Sequence, residues 1–345
     1  MILGICGLGF SGSGAVLDLL KEYPEIGGFS EREMSICYYP DGILDLDYHL
    51  NESYTRYMSS DAALYSFWRM MESRFAHSSR HQTEYDKRII ALTKQYIEDL
   101  TQVTWKGSWG YRDYIDAGIK QKINNAVLLR ASLLIYKLFH KNVNLAKNGI
   151  MRLSIKPEHF DELTRNYLVE VLSCIGYTPK AEKFVVDQLF PGDNPEKCFK
   201  YFNDPYAIVV YRDPRDTYLL AKKMVKVHAS WIPTDNVSDF IRYYKEIYGH
   251  ARIGRTGRVL KVQYEDLIYK YEKTVAEIEQ FCGLQNHTAV KKHFNPEYSI
   301  RYTQLIVDYP QYKSEIQQIE RELKDYLYDF PYKREVIISN EAAIV

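Results

Sequence analysis

Between Gly7 and Gly14 the chain places four glycines and two serines, in the order Gly7-Leu-Gly-Phe-Ser-Gly-Ser-Gly14. Residues this small let a backbone turn its N–H groups inward, and the Ser11 and Ser13 hydroxyls can donate as well. The chemistry open to such a stretch is anion binding, above all of phosphate. A second cluster, Arg212-Asp-Pro-Arg-Asp216, follows the apolar run Ala207-Ile-Val-Val-Tyr211. Arg212 stands where a buried strand empties into a loop, and a guanidinium there can grip a phosphate through two parallel hydrogen bonds. Pro214 stiffens the turn.

These residues need a scaffold, and the periodicity supplies one. Ile2 to Cys6 reads as a short buried strand, and Val16, Leu17, Leu19 and Leu20 have helical spacing, so the glycine loop joins a strand to a helix N-terminus. Tyr23 to Gly28 reads as a helix stop and turn, and Phe29 to Ile36 as a second strand or its approach. Helical periodicity then dominates in 61–77, 84–100 and 116–140, broken at His77–His81 and at Trp105–Gly110. Further strands are expected at Ile150–Ile155, Phe184–Gln188, Ala207–Tyr211 and Val259–Val262. Helices are expected at Phe160–Leu172, Asn194–Lys200, from Thr217, at Ser238–Ala251, at 268–281 and at 310–328. This alternation predicts one α/β domain over 1–345, with a central parallel sheet of four to five strands and a helical insertion at about 40–148.

Composition narrows the class. Lys plus Arg number 45 and Asp plus Glu 45, so no global field favours nucleic acid, and phosphate recognition has to be local. The five cysteines are scattered and none has metal-ligand spacing, which predicts reduced thiols and no metal site. No run has the ~18 consecutive apolar residues of a membrane helix, and Met1 leads into the first strand without a basic leader. The expected location is the cytoplasm. The 31 tyrosines could line a sugar or lipid groove or reflect a composition bias.

The loop alone fits more than one pattern. Gly7-x-Gly9-x-x-Gly12 satisfies the dinucleotide fingerprint, with Glu31 or Glu33 near the usual distance for a ribose-binding carboxylate, and this supports an NAD(P)-dependent oxidoreductase. Gly7 and Gly12 also match the start of a Walker A motif, but Ser13 and Gly14 stand where Lys and Ser/Thr are required.

Three segments in sequence resemble the sulfotransferases that use 3′-phosphoadenosine 5′-phosphosulfate (PAPS), and their carbohydrate-acting branch above the small-molecule one. Gly9–Leu20 with Tyr23-Pro-Glu-Ile26 is similar to the family's phosphosulfate loop, first helix and turn. Ala207–Asp216 resembles its 3′-phosphate motif, and Tyr264-Glu-Asp-Leu267 its YEDL segment. The resemblance covers residues 1–36 and about 183–305. It implies a P-loop nucleotide-kinase-like fold with PAPS as co-substrate and no metal, and transfer of the sulfuryl group to a hydroxyl of a glycan, lipid-linked or other small acceptor. It implies that Gly9, Phe10, Ser11, Gly12, Ser13, Gly14 and Ala15 cradle the phosphosulfate and that Arg212 binds the 3′-phosphate. In the tail, Asn295–Tyr302 resembles the segment that closes over the nucleotide, with Arg301 as a second contact. Glu33, with Glu31 second, stands in the register of the family's general base; His228 and His49 are alternatives.

Two departures bear on catalysis. Phe10 occupies the position of the family's loop cation, for which Arg32, Lys156, Lys261 or Arg301 could substitute. Leu220 occupies that of a serine, for which Lys222 or Lys223 could compensate. Phe10 also suggests a third reading, a nucleotide-binding relative without activity.

Overall fold

Among the described residues, seven strands are built from short apolar or alternating runs: β1 (Ile2–Gly7), β2 (Phe29–Ser30), β3 (Val103–Gly107), β4 (Gly149–Leu153), β5 (Phe184–Asp187), β6 (Pro205–Tyr211) and β7 (Val259–Gln263). Five of them form one parallel sheet in the order β2-β5-β1-β6-β7. β1 and β6 lie at its centre, and their continuous Ile, Leu and Val runs are buried, as strands covered on both faces must be. This computed structural model describes residues 1–30, 32–54, 59–76, 83–107, 119–143, 145, 149–178, 182–224 and 231–335.

The chain divides into two compact units, Met1–Cys37 with Ile175–Val345, and Tyr38–Cys174. The first holds the parallel sheet. Leu3 and Ile5 of β1 pack with Val16, Leu19 and Leu20 of the first helix (Ser13–Leu20) and with Val275 and Ile278 of the helix Tyr271–Cys282. That last helix ends on Gly283 at φ 63°, a left-handed cap that glycine adopts without strain. A separate cluster joins Tyr218–Ala221 to Phe240, Ile241 and Tyr244, and to Ile316 and Ile319 of the helix Lys313–Glu322.

In the second unit, the helix Ser59–Phe75 is followed by Glu84–Leu100, which opens on a capping box between Thr83 and Asp86. The helix Phe160–Cys174 stacks on it through Tyr96 and Tyr167, whose rings lie 4.3 Å apart and nearly parallel. Thr93 and Thr164 satisfy the two phenols at 2.9 and 2.7 Å. Tyr244 and Tyr248 stack likewise in the first unit, at 4.1 Å. Many of the tyrosines are therefore packing residues.

Three local expectations change. β2 is only two residues long, because the Ser30 hydroxyl donates to the Arg32 carbonyl and Ser35–Cys37 coils into a 3₁₀ turn. The expected break at Trp105–Gly110 instead begins as β3, which pairs antiparallel with β4 and ends with Gly107 opposite Gly149. The closing helix shortens to Lys313–Glu322, flanked by 3₁₀ turns at Pro310–Tyr312 and Lys324–Tyr326.

Candidate functional site

The C-terminal ends of β1, β5, β6 and β7 bring the sequence motifs of the first unit together. After β1 the Ser11 N–H closes a turn on the Leu8 carbonyl at 3.0 Å, and Phe10 and Gly12 take left-handed conformations at φ 64° and 85°. Gly12 is the N-cap of the first helix and offers no side chain to its free N–H groups. Two glycines are sterically required. A Cβ on Gly7 would stand 2.0 Å from Ser11 Oγ, and one on Gly12 would stand 2.4 Å from Tyr264 Cδ2. By contrast, a Cβ on Gly14 would meet open space.

Arg212 is the hub. It leaves the end of β6 and is 5% exposed. Its Nη1 donates to the Phe10 carbonyl at 3.4 Å, Nη2 donates to the Tyr302 carbonyl, and the guanidinium lies 4.4 Å from the Tyr264 ring centroid. One side chain thus joins the glycine loop, the RDPRD turn, the YEDL segment and the Asn295–Tyr302 tail.

Around the hub, buried carboxylates fix the loops. Asp213 accepts from Arg215 and from the Tyr328 N–H, and Asp216 accepts the N–H groups of Gln304 and Leu305, both at 2.8 Å. Glu265 accepts the Asp213 N–H at 3.0 Å. Burial, then the charge of Asp213, pushes the Asp216 carboxyl up to about 6, with Arg212 pulling the other way. Burial likewise pushes Glu265 up to about 7 against the pull of Arg212.

Four buried polar atoms in and beside this hub have no hydrogen-bond partner among the described residues: Ser11 Oγ, Arg212 Nε, Thr217 Oγ1 and Arg301 Nε. All four can donate, and two belong to guanidinium groups. Unmatched donors of this kind are costly unless an acceptor arrives, and the set fits a ligand carrying several phosphate-type oxygens.

On the other side of β1 from β6, a second group of residues meets. Asp187 ends β5 opposite Ile5, and its carbonyl accepts the Met34 N–H at 3.0 Å. Its Oδ1 is buried and has no hydrogen-bond partner among the described residues, and burial followed by the nearby charge of Glu33 pushes the carboxyl up to about 6. The next residue, Gln188, donates from Nε2 to Ser13 Oγ at 3.1 Å, which ties this edge to the first turn of the loop helix. The sequence reading passed over Asp187; its signal is an acid closing the apolar run Phe184-Val-Val.

The remaining expected residues are distributed as follows. Glu33 and Arg32 are exposed. Glu31 and His228 lie outside the described residues. The Phe10 ring stacks on Trp231 at 6.4 Å and 7° and packs against the Tyr218–Ala221 cluster, so it leaves the loop without a side-chain cation at that position. Leu220 is buried within the same cluster, where it can only pack. Lys222 is held by the Tyr218 hydroxyl, the Thr234 carbonyl and Glu315, while Lys223 sits over the Tyr309 ring. Arg301 stacks over Tyr298 at 3.8 Å, and Lys261 is an exposed residue of the edge strand β7. Lys156 and His49 belong to the second unit.

The topology also decides against the dinucleotide reading of Gly7, Gly9 and Gly12. Counted in chain order, the five parallel strands run 2-3-1-4-5 across the sheet, whereas the dinucleotide fold runs 3-2-1-4-5. The strand that follows the loop helix therefore does not lie beside β1, and Glu33 does not end β1's neighbour.

A search of curated proteins returns no match. Among solved structures, the chain is similar to the sulfotransferase domain of the Synechococcus PCC 7002 olefin synthase, at 12% identity and a TM-score of 0.41 over 96% of this chain and 95% of that one. A family model described as the sulfotransferase family matches residues 3–288, and the chain belongs to that family.

Proposed function

We propose that the first unit transfers a sulfuryl group from PAPS to the hydroxyl of a glycan, lipid-linked or other small acceptor. The observation that carries this reading is Arg212, buried at the strand end and joined to both the glycine loop and the tail, with Nε still unmatched. Bound PAPS would supply an activated sulfuryl group and two phosphate ends. The N–H groups and hydroxyls of Gly9–Ala15 would hold the phosphosulfate end, with the helix N-terminus adding partial positive charge. Arg212 and Arg301 would hold the 3′-phosphate. Leu220 cannot supply the hydroxyl that the family has at its position. Thr217, one helical turn earlier and with a buried unpartnered Oγ1, takes that role in this proposal.

Phe10 leaves the loop short of a cation, and the Arg212 Nη1 bond to the Phe10 carbonyl brings positive charge to the loop backbone instead. The acceptor hydroxyl must lose a proton as it attacks. Glu33 with Asp187 is the proposed accepting pair, because a carboxyl raised to about 6 still ionises at neutral pH yet holds a proton better than an ordinary carboxylate.

Thermal-shift titration with 3′,5′-ADP, ATP and NAD(H), on wild type and Arg212→Ala, tests the reading. At ~100 times its dissociation constant a ligand stabilises the fold by about 2.7 kcal/mol. 3′,5′-ADP should shift the wild type strongly and Arg212→Ala little. A chain that 3′,5′-ADP does not shift, or whose shift is unaffected by Arg212→Ala, does not use PAPS this way.

A further inference from the structure

The second unit carries a stretch whose chemistry the transfer reaction does not use. From Ala117 to Pro157 there is no Asp or Glu, while eight Lys and Arg residues occur, in a chain whose net charge is zero. Most of this stretch is an excursion from the β3–β4 ribbon, leaving after Gly107 and returning at Gly149. Its helix, Ile119–Phe139, has no buried residue among those described. Ile123, Val127, Leu134 and Leu138 recur at helical spacing along one face, each more than half exposed, and Leu129, Leu133 and Tyr136 are more than half exposed on the opposite face. Phe139 is 67% exposed beside them. Side chains of this kind are normally buried, and a contiguous exposed group of them marks an interaction surface.

The charges identify the partner. Arg130 lies three residues after Val127 and four before Leu134, and Lys137 three after Leu134, so both exposed cations flank the apolar stripe on one side. Their aliphatic stems can lie along the stripe while the charged heads reach outward, the arrangement suited to a surface that is apolar below and anionic above. Trp105, 42% exposed on β3, adds an aromatic of the type that settles at such a boundary. A second copy of the chain is a poorer fit, since two-fold pairing of this segment would bring its cations together with no acidic residue to offset them. No helix among the described residues is long and apolar enough to cross a membrane, so the segment would lie on a bilayer.

We propose that the helix Ile119–Phe139 docks the protein on an anionic lipid bilayer. The inference stands independently of the sulfuryl-transfer reading, since it uses no residue of that site. It is tested by co-sedimentation of the full chain with vesicles of phosphatidylcholine alone and of phosphatidylcholine mixed with phosphatidylglycerol. The expected result is binding to the mixed vesicles only, weakened by salt. The Leu134→Glu/Leu138→Glu variant should lose more than about tenfold in affinity. Arg130→Gln/Lys137→Gln should lose about fivefold per cation on mixed vesicles. Both pairs are solvent-exposed, so an unchanged melting temperature confirms folding, and the charge variant remains decisive if the leucine variant misfolds. Absence of vesicle binding overturns the proposal, as does equal binding by wild type and both variants. A dimer in light scattering that Leu134→Glu/Leu138→Glu dissociates also overturns it, by assigning the face to a second copy.

Discussion

At the scale of single residues, the site is decided by groups left without partners. Asp187 shows how: its strand position forces the carboxyl beside the loop helix, burial raises it, and the charge of Glu33 raises it further. If this pair accepts the acceptor's proton, kcat should fall on acidification through about 6. Asp187→Asn should then lower kcat roughly 10²-fold and remove that limb, with 3′,5′-ADP affinity unchanged. A retained limb would assign the proton to Glu33 alone. Thr217→Val tests a binding role in the same way, since it keeps the shape of the side chain and removes an unmatched buried hydroxyl. A hydroxyl that donates to the ligand predicts weaker 3′,5′-ADP binding by about tenfold, whereas a packing role predicts no change or slightly higher stability. The loop glycines and Arg212 were legible in the sequence because residue type and spacing state their chemistry. Thr217 and Asp187 were not, because their significance lies in burial and in the absence of a partner, which only the fold creates.

At the scale of elements, the first helix works from both ends. Its N-terminus faces the glycine loop, and just beyond its C-terminus Glu22, with a fully buried side chain, accepts from His287 at 2.6 Å and from the N–H groups of Lys291, His293 and Phe294. Those residues lead into Asn295–Tyr302, whose last carbonyl accepts from Arg212. Glu22→Ala would strand several buried donors at once and should destabilise the fold by about 3 kcal/mol. It should also weaken 3′,5′-ADP binding by freeing the tail, both measurable by denaturation and titration. Burial works against the Glu22 charge, but these hydrogen bonds outweigh it and hold the carboxyl below its ordinary 4.5. Its contribution is therefore present above 4.5 and lost as pH falls through the folded value; Glu22→Gln should lack that acid loss. Strand and helix positions were largely readable from periodicity. The tie from Glu22 to residues 287–294 was not, because no local pattern links groups some 265 residues apart. β3 escaped for another reason: its alternation, Val103-Thr-Trp-Lys, is only four residues long and runs into the glycines Gly107 and Gly110, which read as a break.

For the molecule as a whole, the charges balance in number but not in burial. Around Arg212 the fold buries Asp213, Asp216 and Glu265, using them as acceptors for the backbone of residues 213, 304, 305 and 328. Arg215 neutralises Asp213, pairing with it at 2.7 Å, so Arg212 is left facing the other two. A carboxyl whose folded value is raised stabilises the native state fully below its unfolded value and loses that contribution as pH rises through the folded one. For Asp216 the window runs from 3.8 to about 6, and for Glu265 from 4.5 to about 7. Glu22 has the opposite sign and acts only below 4.5. Stability should therefore be greatest in weak acid, near 4.5, with the melting temperature rising as pH is lowered from about 7 to 5. Glu265→Gln should flatten much of that rise, because its amide oxygen can still accept the Asp213 N–H without a charge to desolvate. Arg212→Ala should steepen it, since the cation that now favours both ionised carboxylates is gone. A melting temperature that is flat over this range in the wild type, or unaltered in slope by both substitutions, would mean that solvent reaches these carboxylates in solution. If they stay dry, an anionic nucleotide bound against Arg212 must raise both further, and its binding below pH 7 should draw protons from solution.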